Sequence, residues 1–253
     1  YNILKCLYLK KGRNMEKLEK YQLFASCLCI GLSILLSAFL ISTKIQKNES
    51  ITVTGSASKI VKSDKGMLAV EIEVKAKNQK DAFSEVKRQY PIVMKYLQNK
   101  GLTDINTKTI SGYYTYVTTP QGYSTGEVER YTASQRIEVV SDDVQKIKAV
   151  STDISNLIDE GVNLNISTPE YYYSDLAQIK IDLLKEAATD ARTRAKSMLS
   201  AANSSVGKVK SMKMGVFQIT SPESTEVADY GINDTSTIDK KVTAVANVVF
   251  QVK

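Results

Sequence analysis

LAVEIEVKA, residues 68–76, sets Leu68, Val70, Ile72, Val74 and Ala76 at every second position, with Glu71, Glu73 and Lys75 between them. A period of two belongs to a β-strand, so this stretch is a strand with one buried face and one wet face. Its apolar face needs a covering layer, and the neighbouring segments are read for what supplies it. Glu71 and Glu73 invite reading as a paired-carboxylate site, but no complementary acid or base lies nearby. They belong to the solvent face.

Upstream, ITVTGSA (residues 51–57) alternates and is β-rich, and an interruption follows at Ser63-Asp64-Lys65-Gly66. Downstream, Asn78 can cap a helix beginning at Gln79. Phe83, Val86, Tyr90, Val93 or Met94, and Leu97 recur along it at helical spacing, Gly101 closes it, and Pro91 should kink or split it. A strand follows at Asn106–Val117, then the turn-rich TTPQG (118–122), then a strand at Val128–Val140: a long hairpin with a floppy tip. Ser141-Asp142-Asp143 opens a second helix to about Asp159, which Gly161 ends. Val162–Tyr173 returns as a strand, and Ser174-Asp175 caps the longest helix, running to about Asn203.

The inward face of that helix reads Leu176, Ile179, Leu183, Ala187, Ala191, Ala195, Met198 and Ala202. The alanines keep a narrow ridge, so the helix backbone can approach its sheet closely. Lys185, Glu186, Asp190, Arg192, Arg194 and Lys196 fall largely on other faces and read as a solvated surface, with an anion-binding patch as the sharper alternative. Val206–Thr220 and Lys241–Val252 are strand-like. Apolar residues on both sides of Val248–Phe250 mark the last strand as central or buried in an oligomer. Between them, Ser221–Lys240 is a structureless insertion.

Ahead of this domain, Tyr21–Thr43 carries no charge over 23 residues. As a helix it would be roughly 35 Å long, enough to cross a hydrocarbon core. It is longer than a signal-peptide core and no clear A-x-A site follows, so it is expected to be an uncleaved anchor. The chain therefore divides into a cytoplasmic tail (1–20), a transmembrane anchor (21–43), a linker (44–50) and a domain (51–253). Met15 is the expected translation start, with residues 1–14 an upstream over-extension. Lys17 and Lys20 before the anchor are matched by Lys44 and Lys47 after it, so flanking charge does not fix orientation.

Composition excludes several function classes. Of the net charge of +7, six basic residues against Glu16 and Glu19 place +4 before Lys44. The domain keeps too little for a nucleic-acid partner, which would need a basic stripe. Cys6, Cys27 and Cys29 all precede the domain, which therefore has no disulfide framework and no thiolate chemistry. The chain has no histidine, which removes the usual zinc ligand and general base. No cofactor, metal or catalytic residue is expected, and the protein is expected not to be an enzyme. Tyrosine density stands out instead: Tyr113, Tyr114, Tyr116, Tyr123 and Tyr131 surround one hairpin. A ring with a polar tip suits sugar and protein surfaces. Tyr171, Tyr172 and Tyr173 end another strand.

The element order, together with ITVTGSA at its start, resembles the SIMPL-domain family. So do Gly101-Leu102 with Asp104-Ile105-Asn106-Thr107, and Tyr131-Thr132-Ala133-Ser134-Gln135. The ladder Ala187, Ala188, Ala191, Ala195 and Val206-Gly207-Lys208-Val209 complete the likeness, which covers about Ser50 to Lys253. The resemblance implies an α+β domain, with a mixed or antiparallel sheet packed by about three helices, behind a signal sequence or membrane anchor. It also implies export in bacteria, homo-oligomers, an association with the envelope and stress defence, and no catalytic residues to carry over. The expected role is a membrane-anchored, extracytoplasmic, self-associating scaffold. The alternative is a binding module for an anionic polymer or carbohydrate of the envelope, acting through the tyrosine-rich hairpin.

Overall fold

The computed structural model describes residues 26–41 and 49–253. Residues 26–41 form helix α1, with Leu28, Leu35 and Phe39 among its exposed side chains. Residues 21–25 and 42–43 of the expected anchor lie outside the described residues, as do the tail and most of the linker. Among the described residues no helix is long and apolar enough to cross a membrane.

The rest runs β1 (Ser50–Lys62), β2 (Lys65–Ala76), α2 (Gln79–Asn99), β3 (Asp104–Thr107), β4 (Ser111–Thr118), β5 (Ser124–Ser141), α3 (Val144–Asp153), α4 (Asn156–Asp159), β6 (Leu164–Ile166), β7 (Glu170–Tyr172), α5 (Leu176–Ala201), β8 (Val206–Met214), β9 (Gln218–Thr220), β10 (Ile232–Asn233) and β11 (Asp239–Val252). The fold is α+β, but its strands form two sheets rather than one. One is antiparallel in the order β3-β5-β2-β6, with β4 also on β5 and β7 also on β2. The other has the order β1-β11-β9-β10 with β8 on β11, and is mixed because β10 lies parallel to β9. The last strand is thus central in its sheet, as its two apolar faces suggest.

The chain divides into two compact units. The larger comprises Thr54–Ala191 and Lys213–Asn247. There β2 pairs with β5 over Gly66–Ala76, setting Leu68, Val70 and Ile72 opposite Val139, Ile137 and Gln135. The apolar members of that face are fully buried with Val86, Val93 and Leu97 of α2 and Ile147 and Val150 of α3. Each such side chain contributes about 1.5–3 kcal/mol by leaving water. Glu73 on the wet face pairs with Lys75 at 3.0 Å. In the other unit, Lys253 and Ser205 exchange backbone hydrogen bonds at 2.9 Å, and the Val252 amide donates to Glu49 at 3.0 Å.

Several boundaries differ from the sequence reading. Helix α2 runs continuously from Gln79 to Asn99 with the exposed Pro91 inside it, so the proline does not split it. It ends at Gly101 (φ 73°), with Gly101 N–H to Gln98 O and Leu102 N–H to Leu97 O, the paired bonds of a Schellman cap. The expected second helix breaks into α3 and α4 at Ile154–Ser155, and Gly161 closes α4 by the same two-bond pattern. The strand expected over Val162–Tyr173 is β6 and β7, parted by a stretch that contains Pro169. The expected strand at Asn106–Val117 is likewise two pieces, both paired to β5.

On α5 the buried stripe is Ile179, Leu183, Ala187, Ala191, Ala195 and Leu199, a strict four-residue step; Met198 and Ala202 are exposed. The insertion is not structureless. The Gln218 amide donates to Ala228 O (2.7 Å) and accepts from Ile232 N–H (2.9 Å), and Lys240, only 2% exposed, donates from Nζ to Asp234 O (2.5 Å).

Candidate functional site

The site is built where the start of α2 meets the β4–β5 hairpin. Asn78 adopts an extended backbone and its side-chain oxygen accepts from Asp81 N–H at 2.9 Å, while its amide donates to the Asp81 carboxylate at 2.7 Å. This cap satisfies a first-turn amide and fixes where the helix begins. Gln79 and Phe83, four residues apart, then stand one above the other on one helix face. Opposite Phe83 lies Gly112 of β4, where a Cβ would sit 2.6 Å from Phe83 Cε2. Only glycine lets the ring lie against the strand.

The hairpin register sorts the tyrosines. Tyr114 pairs with Tyr131 across the two strands, so their side chains share a face, and their rings lie 6.0 Å apart at 59°. Tyr116 joins them edge-on to Tyr114 at 5.2 Å and donates its hydroxyl to that of Tyr114 at 3.4 Å. That hydrogen bond, reinforced by repulsion between two phenolates, raises the Tyr116 phenol above its ordinary value. Tyr113 pairs with Thr132 and by strand alternation turns its ring to the opposite face. Tyr123 is 74% exposed at the hairpin tip. At the tip, Gly122 N–H donates to Thr119 O and Thr119 N–H to Tyr123 O, both at 2.8 Å, which closes the turn. The five tyrosines thus divide into a cluster of three, one behind it and one at the end.

A cavity of about 490 Å³ opens on the clustered face, lined by Gln79, Phe83, Gly112, Tyr113, Tyr114, Tyr131 and Thr132. Strand alternation puts the Tyr114 and Tyr131 rings on the face where Phe83 meets Gly112, so three aromatic rings border the cavity. No lining residue is charged. Phe83 and Gln79 were not singled out from sequence as site residues, because Phe83 reads as one more member of a helix stripe. A glycine inside a tyrosine strand was the available signal.

Elsewhere, Tyr171 is buried and Tyr172 is tied by its hydroxyl to Glu170. A larger cleft of about 610 Å³ has Lys62 and Lys148 together with Glu223 and Asp239 among its lining, a balanced set that points to no single charge of ligand. Among the described residues no three His, Cys, Asp or Glu side chains gather to hold a metal ion. On α5, Asp190 Oδ2 accepts from the Ser56 amide at 2.8 Å, so part of its charged face serves the strand beside it.

The family model described as SIMPL, protein of unknown function (DUF541), matches residues 51–250. The chain belongs to the SIMPL family. The match begins inside β1 and ends inside β11, so both sheets, and the hairpin with its cavity, are part of the SIMPL domain. No curated protein matches the chain. The family description names no activity, so a function for this SIMPL domain rests on its own surfaces.

Proposed function

We propose that this SIMPL-domain protein is a non-enzymatic binding module of the bacterial cell envelope, held by residues 21–43 at the outer face of the membrane, with the β4–β5 hairpin as its working surface. One observation carries the reading: an uncharged cavity walled by Phe83, Tyr114 and Tyr131 opens beside a strand that pairs with β5 alone among the described residues. Tyr114 is 52% exposed, which leaves apolar ring surface and a polar tip available to a ligand. The test is co-sedimentation of the full-length protein, kept in detergent, with lipid-free insoluble cell-wall material. Wild type should pellet with it and Tyr114→Ala should remain in the supernatant; equal pelleting of both overturns the reading.

Self-association is the second reading, favoured by the same strand for a different reason. β4 is eight residues long without a charge or a proline, and natural edges that avoid pairing usually carry one or the other. A second copy laying its β4 alongside would satisfy the unpaired backbone groups of both. Light scattering of the full-length protein in detergent should show an oligomer that Tyr116→Lys dissociates. A monomer throughout the micromolar range contradicts it.

A further inference from the structure

We infer that the cavity between α2 and the hairpin takes an uncharged oligosaccharide of the envelope, one sugar ring lying on Tyr114 and Tyr131, rather than an anionic polymer. The inference rests on the hairpin being a binding surface and goes on to name the ligand class. Three features of the lining carry it.

The first is charge. An anionic polymer needs fixed cations, yet the lining residues Gln79, Phe83, Gly112, Tyr113, Tyr114, Tyr131 and Thr132 include none. On the hairpin itself, Arg130 is already paired with Glu129 at 2.5 Å. The second is the pairing of apolar and polar groups. A pyranose ring has an apolar face of C–H groups and a rim of hydroxyls. The aromatic walls suit the face, and the Gln79 amide, which both donates and accepts, suits the rim.

The third is the strand edge: β4 has no strand on its outer side among the described residues. An edge strand turns alternate N–H and C=O groups outward, which offers further donors and acceptors to hydroxyls. The cavity's size also falls in the range of small-ligand sites, where a long groove would suit an extended peptide.

The experiment is titration of the full-length protein in detergent with chitotriose and cellotriose, each at millimolar concentration, followed by NMR. Polyglycerol phosphate and a proline-rich peptide are titrated in parallel. At least one trisaccharide should bind. Tyr114→Ala should weaken it about tenfold, Tyr114→Phe should stay within about threefold of wild type, and Tyr230→Ala, an exposed tyrosine outside the lining, should leave it unchanged. Gln79→Ala, an exposed first-turn residue, serves as a second lining variant and should weaken binding about threefold.

Binding that survives both Tyr114→Ala and Gln79→Ala overturns the location. Binding only to polyglycerol phosphate, or only to the peptide, overturns the ligand class. If no trisaccharide binds while envelope sedimentation still depends on Tyr114, the sugar inference fails and the hairpin reading stands; if that dependence is also absent, both fail.

Discussion

Gly55 sits where β1 passes α5, and a Cβ there would stand 2.1 Å from Ala187 O and 2.7 Å from Ala191 Cβ. Both sides of this crossing are stripped to the minimum: glycine on the strand, alanine on the helix. Gly55→Ala has no room to settle, since two of the atoms it meets are backbone, and it should cost about 1–3 kcal/mol by overpacking. A thermal melt of the variant beside wild type checks this; an unchanged midpoint contradicts it. Glu85 makes a second residue-level prediction. Its carboxylate accepts from Arg88 and from the buried Gln89, whose own oxygen receives the Asn163 amide at 2.8 Å. The Arg88 hydrogen bonds first, then that from Gln89, lower its pKa from 4.5 to about 2. A depressed carboxylate contributes stability above its ordinary value and loses it as pH falls from about 4.5 towards 2. Glu85→Gln should therefore melt lower than wild type at neutral pH, with the gap closing across that window. The alanine ridge was legible in sequence because helical spacing is local. Its partner Gly55 was not, because nothing local says which strand passes over which helix.

At the level of elements, strands with a clean period of two and helices with capping residues were legible, and breaks set by tertiary pairing were not. The hairpin could be read from turn residues between two β-rich runs. Which tyrosines share a face could not, because that depends on a register fixed by the pairing of Tyr114 with Tyr131 and by irregularities at Tyr116. The insertion failed as a structureless segment for a similar reason. Much of its order comes from Gln218, buried just before it, and from Lys240, buried at its last position. Gln218→Ala removes the donor to Ala228 O and the acceptor for Ile232 N–H. Leaving those groups without partners should cost about 1–3 kcal/mol locally and open residues 222–233 to cleavage. Limited proteolysis read by mass spectrometry should find new cuts confined to that segment. Cuts spread through the domain, or none at all, contradict this account.

For the molecule as a whole, the SIMPL domain brings its features into a plain division of labour. The antiparallel sheet buries its apolar face under α2 and α3 and carries, along one edge, a tyrosine strand with an uncharged cavity. The proposed anchor would hold that edge outside the cell, so a protease added to intact cells should remove the domain while leaving cytoplasmic proteins whole. A domain that survives until the cells are broken contradicts that placement. The central claim is that ligand meets this molecule at the hairpin. Hydrogen exchange of the full-length protein, with and without sonicated envelope fragments, tests it directly. Added protection should fall on residues 111–118, 124–134 and the first turn of α2. Protection elsewhere with the hairpin unchanged would contradict it.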